Sequence, residues 1–292
     1  MKRPVFATRP EPAHSGPRPV EALSITCEGL WLLQALCGVE TLPSNLVLRP
    51  YISEIPAPTS HPGLAVLREA GVVVTDEHGS DAVHPQVALW LEALGAPDVV
   101  LCAMVTRGLA DLRVAIARRG TLTVSAARFD DEVTIEEVGS VGSMRGLLTR
   151  LLPMCGPECA PAEFEPIVVP SAALLDGLAQ IVRGDQTPAV ALRSLGLDPQ
   201  QRRVVTAAAD EPEMQLSIAV VRHDSDGDHV GVAAVSVTDT HEGRVVTGPV
   251  RSEDGSWWTM VTPGTPAAGG RALETLLATV GLGSWGEHRR YP

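Results

Sequence analysis

The sequence predicts an α+β fold: one antiparallel β-sheet joined from two pseudo-twofold-related halves. Three observations lead there. Residues 99–138 hold four consecutive β-branched segments joined by Gly or Asp turns, and residues 214–262 hold four more. Each run follows a short strand, a helix and a helix pair, and each precedes one further helix, so the element order repeats. Connections of a few residues make neighbouring strands antiparallel. Runs of strands between runs of helices exclude a doubly wound parallel sheet. The repeat divides the chain into a flexible Pro-rich tail at 1–20, an N-terminal half at 21–165 and a C-terminal half at 166–292.

In the first half a strand is expected at 23–26. A helix at 28–37 has Leu30, Leu33 and Leu36 on one face and Gly38 at its end. A Pro-rich crossing covers 43–58. Two short helices follow at 62–70 and 85–94, each opened by proline and closed by glycine, the second with an apolar stripe of Val87, Trp90, Leu91 and Leu94. Strands are expected at 99–105, 113–118, 122–128 and 132–138. Ser143 caps a helix carrying Met144, Leu147, Leu148, Leu151 and Leu152, which Pro153 stops. The second half replays this with a strand at 166–169 and helices at 171–183, 188–195 and 199–209. Its strands fall at 214–222, 230–238, 244–249 and 257–262, and a helix at 266–280 ends at Gly281. Within 99–105, Cys102 reads as a small core residue.

Composition narrows the chemistry. The 292 residues are 45% apolar and 20% charged, with five Trp, two Tyr and three Phe, too few aromatics for a sugar cleft or a base-stacking platform. Lys2 is the only lysine, which excludes a phosphate-loop lysine or a Schiff base beyond the N-terminal stretch. A net charge of −12 repels nucleic acid and anionic lipid, so neither is expected as a partner. Five cysteines in a chain of this length give no disulfide framework. No apolar run approaches the roughly 18 residues of a membrane span, and the prolines after Met1 leave no signal-peptide core. The expected location is the cytoplasm, without stable membrane association.

The motifs with chemical potential mostly reduce to structure. Gly281, Gly283 and Gly286 spell a dinucleotide fingerprint, but they follow a helix where the motif must open one. His223-Asp224-Ser225-Asp226-Gly227-Asp228-His229 alternates carboxylates, yet its glycine is fourth and its twelfth residue is Val235, against the calcium-loop pattern. With no defined third ligand, it reads as a solvated hairpin turn. Cys155 and Cys159 lack two further ligands for zinc. Glu132, Glu136 and Glu137 beside Asp130 and Asp131 read as a solvated strand end. Of Trp257 and Trp258, one ring points to each sheet face, the inner one to the core. No serine or cysteine has a His–carboxylate partnership. No catalytic residue, metal ligand or cofactor is expected, and the chain is not expected to be an enzyme.

Phrases spread along the chain carry a resemblance. They are Gly29-Leu30-Trp31-Leu32-Leu33-Gln34-Ala35-Leu36, Arg49-Pro50-Tyr51, His61-Pro62-Gly63-Leu64-Ala65-Val66-Leu67-Arg68-Glu69, Gly71-Val72-Val73, Ala117-Arg118-Arg119-Gly120, Val124-Ser125-Ala126-Ala127-Arg128, Val133-Thr134-Ile135 and Gly283-Ser284-Trp285. Over roughly 20–290 the chain resembles the EspG family, cytosolic proteins of mycobacterial type VII secretion that bind PE–PPE protein pairs. The resemblance implies the same pseudo-twofold α+β fold, with a central antiparallel β-sheet flanked by two helical bundles, no cofactor and a chaperone role. Such a chaperone caps the apolar tip of the PPE subunit, keeps the PE–PPE heterodimer soluble and marks it for its own secretion system.

Two features depart from the family pattern. The loop between the first two strands of the first meander shrinks to about 108–111, and the first strand of the second meander lacks an acidic residue. There, alternation gives Leu216, Ile218 and Val220 to the core and turns Gln215, Ser217 and Ala219 outward. These three are the expected partner-binding residues, with the helix at 199–209 as a wall and Asp111 of the shortened loop in a lesser role. Two other readings stand beside this one: a small-ligand sensor or divergent enzyme on the same scaffold, and a structural subunit of a membrane machine. A weak homodimer of the free protein is left open.

Overall fold

The computed structural model describes residues 20–52, 60–75, 81–210 and 212–290. Most of the expected tail and part of the Pro-rich crossing therefore lie outside the described residues. In chain order the first half runs β1 (Ala22–Thr26), α1 (Cys27–Cys37), α2 (Gly63–Glu69), β2 (Val73–Thr75), β3 (Asp81–Val83), α3 (Pro85–Gly95), β4 (Val99–Arg107), β5 (Ala110–Arg119), β6 (Leu122–Phe129), β7 (Glu132–Glu137) and α4 (Met144–Leu151). The second runs β8 (Ile167–Pro170), α5 (Ser171–Val182), α6 (Pro188–Ser194), α7 (Pro199–Asp210), β9 (Met214–Asp224), β10 (Gly227–Val230), β11 (Val235–Thr240), β12 (Gly243–Arg251), β13 (Trp257–Pro263) and α8 (Pro266–Ala278).

One eleven-stranded sheet spans the molecule in the order β1-β7-β6-β5-β4-β9-β11-β12-β13-β8, with β10 beside β9. Every pairing within it is antiparallel. Each half contributes a meander whose first strand meets its counterpart at the centre, where β4 and β9 pair from Val99 with Arg222 to Thr106 with Gln215. That seam marks the pseudo-twofold axis, so the expected joined sheet of two repeats is present.

Local chemistry explains the element ends. Thr26 accepts from the Gly29 amide at the start of α1, and Gly38 closes that helix in the left-handed region at φ 68°. Ser143 and Thr265 cap α4 and α8 in the same way. On one face of the sheet α4 and α8 lie together over the seam. There Leu147, Leu148, Leu273, Leu276 and Leu277 meet Leu101, Ile116, Leu216, Ile218, Val220 and Val237. Each such side chain contributes about 1.5–3 kcal/mol on burial. On the opposite face, α1–α3 cover the outer N-terminal strands through Leu33, Leu64, Trp90 and Leu91, and α5–α7 cover the outer C-terminal strands through Leu174, Leu192, Val204 and Val205.

Several expectations need correction. The second strand of the second meander is broken into β10 and β11, because residues 231–234 leave the ladder while the Gly231 amide stays bonded to the Val220 carbonyl. The ribbon of β2 and β3 was not foreseen. α4 ends before Pro153 as expected, but at Leu151, and Leu152 opens a 3₁₀ turn, Leu152–Cys155, that holds the proline. Trp257 and Trp258 are both half-buried, so neither ring is a core residue.

Candidate functional site

Among the described residues, the helical layers leave the middle of one sheet face open. Val100 on β4 sits under the N-terminal bundle, and its Cα partner across the seam is Val221. Alternate residues upward along the two strands share that face: Cys102 with Ala219, Met104 with Ser217, Thr106 with Gln215. On the far side Ser217 pairs with Ser236 and Gln215 with Thr238 on β11, the strand against which α7 packs. On the near side the 3₁₀ turn Ser44–Leu46 rests on β4 and β5, fixed by Asn45 Nδ2 donating to the Val114 carbonyl at 2.9 Å. The result is a groove floored by β4 and β9 and walled by that turn and by the C-terminal bundle.

The strand register expected for β9 holds. Leu216, Ile218 and Val220 are fully buried, Gln215 is exposed, and Ser217 and Ala219 are half-buried on the groove face. Asp111 needs correction. Gly108 at φ 60° allows a two-residue turn, Gly108-Leu109, so Asp111 lies inside β5 and outside any loop. Its carboxylate accepts from Thr106 Oγ1 at 3.0 Å. Thr106 is the Cα partner of both Asp111 and Gln215, which places Asp111 in the same cross-strand row, at the groove's rim.

Sequence reading missed two floor residues. Met104 is 39% exposed beside Ser217. Cys102, expected in the core, is half-buried and lines a pit of about 520 Å³ at the lower end of the groove with Leu48, Leu94, Val100, Val221 and Val230. Burial pushes the Cys102 thiol up to about 11. Both residues belong to a continuous apolar run, which conceals which face a bundle covers. Their Cα partners in β9 are the signal that places them.

The His/Asp segment is a paired hairpin with only Ser225 and Asp226 in its turn, since His223 pairs with Asp228 and His229 with Arg222. Ligand atoms of Asp224, Asp226 and His229 lie within 4.8 Å of one another. Asp224 already has three cationic or imidazole neighbours: Arg222 Nη2 at 2.7 Å, His229 Nε2 at 3.0 Å and His288 Nε2 at 3.1 Å. The guanidinium sits on the oxygen that a metal ion would take, and Asp226 is 78% exposed. Cys155 is buried and Cys159 half-buried, both with thiols raised by desolvation. The acidic strand end at Asp130, Asp131, Glu132, Glu136 and Glu137 is exposed, as expected. Gly281 closes α8 at φ 76°, a helix end and no dinucleotide turn. No helix among the described residues is long and apolar enough to cross a membrane.

Comparison with known proteins places this geometry. The family model described as EspG family matches residues 26–275. ESX-5 secretion-associated protein EspG5 of Mycobacterium tuberculosis (strain ATCC 25618 / H37Rv) is 27% identical over 304 residues, covering 92% of this chain and 97% of that protein. ESX-3 secretion-associated protein EspG3 of Mycolicibacterium smegmatis is 30% identical over 275 residues, covering 92% and 90%. Among solved structures, the Mycobacterium tuberculosis type VII secretion system chaperone EspG5 in complex with a PE25–PPE41 dimer matches with a TM-score of 0.79 at 25% identity. That match covers 91% of this chain and 99% of the other.

Proposed function

The chain belongs to the EspG family, and from that premise we propose that it is a cytoplasmic specificity chaperone for PE–PPE heterodimers of a type VII secretion system. It binds the pair through the PPE subunit, keeps it soluble and directs it to secretion, and it performs no catalysis. The observation that supports this most is the open groove over the β4–β9 seam. Its floor is built of small neutral side chains, Ser217 and Ala219, beside the apolar Met104 and Cys102. Such a floor lets a partner helix lie close, and it suits an apolar tip. We assign partner contact to Gln215, Ser217 and Ala219, and a lesser part to Asp111 at the rim.

The test is co-expression with PE–PPE pairs encoded near its own gene, followed by pull-down through a tag on this chain. One pair is expected to co-elute as a three-chain complex and to precipitate when expressed without the chaperone. If every such pair is equally soluble alone and none is retained, the proposal fails. A small-ligand sensor would instead show a saturable thermal shift with a metabolite set and no retention of any pair.

A further inference from the structure

The link between α4 and β8 crosses the C-terminal meander at the β11–β12 turn. There Ala162 donates its amide to the Arg244 carbonyl at 2.9 Å, and Arg244 donates to the Ala160 carbonyl at 2.7 Å. The Arg244 side chain is held on Asp239 at 2.6 and 2.8 Å, with both residues 6% exposed. The pseudo-twofold axis relates this corner to the β5–β6 turn of the other half. A buried Arg–Asp pair stands there too: Arg118 Nη1 lies 3.1 Å from Asp98 Oδ2, the residues being 2% and 4% exposed.

What closes that second corner is the segment after α8. Leu282 and Trp285 enter the central core. Arg118 donates to the His288 carbonyl and lies 6.0 Å over the Trp285 ring. The Arg290 amide donates to Asp98 Oδ1 at 2.8 Å. On the other strand of the seam, His288 Nε2 donates to the His223 carbonyl at 2.9 Å and faces Asp224 Oδ1 at 3.1 Å. One short segment thus grips the chain just before β4 and the end of β9. The seam's own bond at this point runs from the His223 amide to the Asp98 carbonyl, 2.9 Å.

We propose that residues 282–290 are a clasp that locks the lower end of the β4–β9 seam, filling by pseudo-symmetry the corner that the α4–β8 link fills in the other half. The link is fastened by regular elements at both ends, α4 and β8; among the described residues the clasp is fastened by α8 alone. Residues 282–290 form no helix or strand of their own, so opening the clasp breaks only the contacts named above, and it frees the strands that floor the groove. This inference concerns the free protein and does not rest on the identity of the partner.

Hydrogen exchange on the full-length chain tests it, comparing wild type with His288→Ala/Arg290→Pro. The second change removes the amide hydrogen that Asp98 accepts, together with an exposed guanidinium that makes none of the seam contacts named above. Amides of 283–289, of His223 and of the adjoining β4 and β9 residues should exchange at least about tenfold faster, while β12 and β13 stay unchanged. His288→Gln with Arg290 intact should restore protection at His223, because the amide nitrogen of Gln can donate to the same carbonyl. An unchanged His223 amide in the double variant would show the segment to be a passenger. Equal acceleration across the sheet, β12 and β13 included, would make the contacts a general stabiliser, which also overturns the clasp.

Discussion

Met104 on β4 and Ser217 on β9 are Cα partners across the seam, and both face the uncovered middle of the sheet. Met104 keeps 39% of its surface exposed although its strand is central. A flexible thioether beside a small hydroxyl gives the groove an adaptable apolar floor. Met104→Ala should weaken the PE–PPE complex about tenfold, in the range of a truncated central contact, with no change in the unfolding midpoint. Calorimetric titration measures the first and denaturant unfolding the second. An equally tight complex would remove Met104 from the interface.

The Asp98–Arg118 pair is a different kind of contact, since both groups are shut away from water. Asp98→Ala leaves a buried guanidinium without its carboxylate and should cost about 3–5 kcal/mol in urea unfolding. Desolvation first, and the Arg289 cation nearby, hold the Arg118 pKa below the ordinary arginine value even with Asp98 beside it. Asp98→Asn keeps the shape and one acceptor oxygen in place of the two that accept from Arg118, Gly120 and Arg290, and should cost less than Asp98→Ala. Equal losses for the two variants would show that the charge alone carries the contact and that the shape and remaining hydrogen bonds of the side chain add nothing.

Close packing of α4 on α8 depends on glycine. A Cβ at Gly270 would stand 2.8 Å from Arg145 Cβ, 2.9 Å from its Cα and 3.0 Å from its backbone nitrogen, so the opposing backbone must move. Gly270→Val should therefore destabilise the chain by about 1–3 kcal/mol. Thermal unfolding measures this, and a rise in stability would contradict the packing described.

Cys102 offers a probe of the pit. Only the thiolate alkylates, and a thiol pushed up to about 11 is almost wholly protonated at pH 8. Iodoacetamide should modify Cys102 on the order of a hundredfold more slowly than free cysteine at that pH, with the rate rising as pH approaches 11. Site-resolved mass spectrometry follows it. Fast modification at pH 8 would mean that the pit is open to water.

Much of this was legible in the sequence where period and burial agree. The β9 alternation placed Leu216, Ile218 and Val220 in the core and Ser217 on the open face, because that strand is covered on one side only. The cap at Ser143 and the glycine ends at Gly38 and Gly281 were equally local signals. The run 99–105 was not decodable, since it is apolar on both faces and only the bundle's reach decides that Val100 is covered and Met104 is not. β2 and β3 pair locally across 73–83, but three residues are too few to display a strand's period. The break at 231–234 is set by tertiary contacts, with Gly231 lying against Thr279 and Val220. The clasp was invisible for the same reason: Arg118 and His288 are 170 positions apart, Asp98 and Arg290 192.

One affinity comparison decides whether the partner sits in the seam groove. The dissociation constant of the PE–PPE pair is measured for wild type, Ser217→Arg and Asp111→Arg, with unfolding midpoints recorded alongside. An arginine at Ser217 would be desolvated against an apolar tip, so binding should fall at least about a hundredfold, some 2.7 kcal/mol. Asp111→Arg at the rim should change it by less than about threefold, and both variants should unfold within about 0.5 kcal/mol of wild type. If Ser217→Arg binds as tightly as wild type, the groove is not the binding surface.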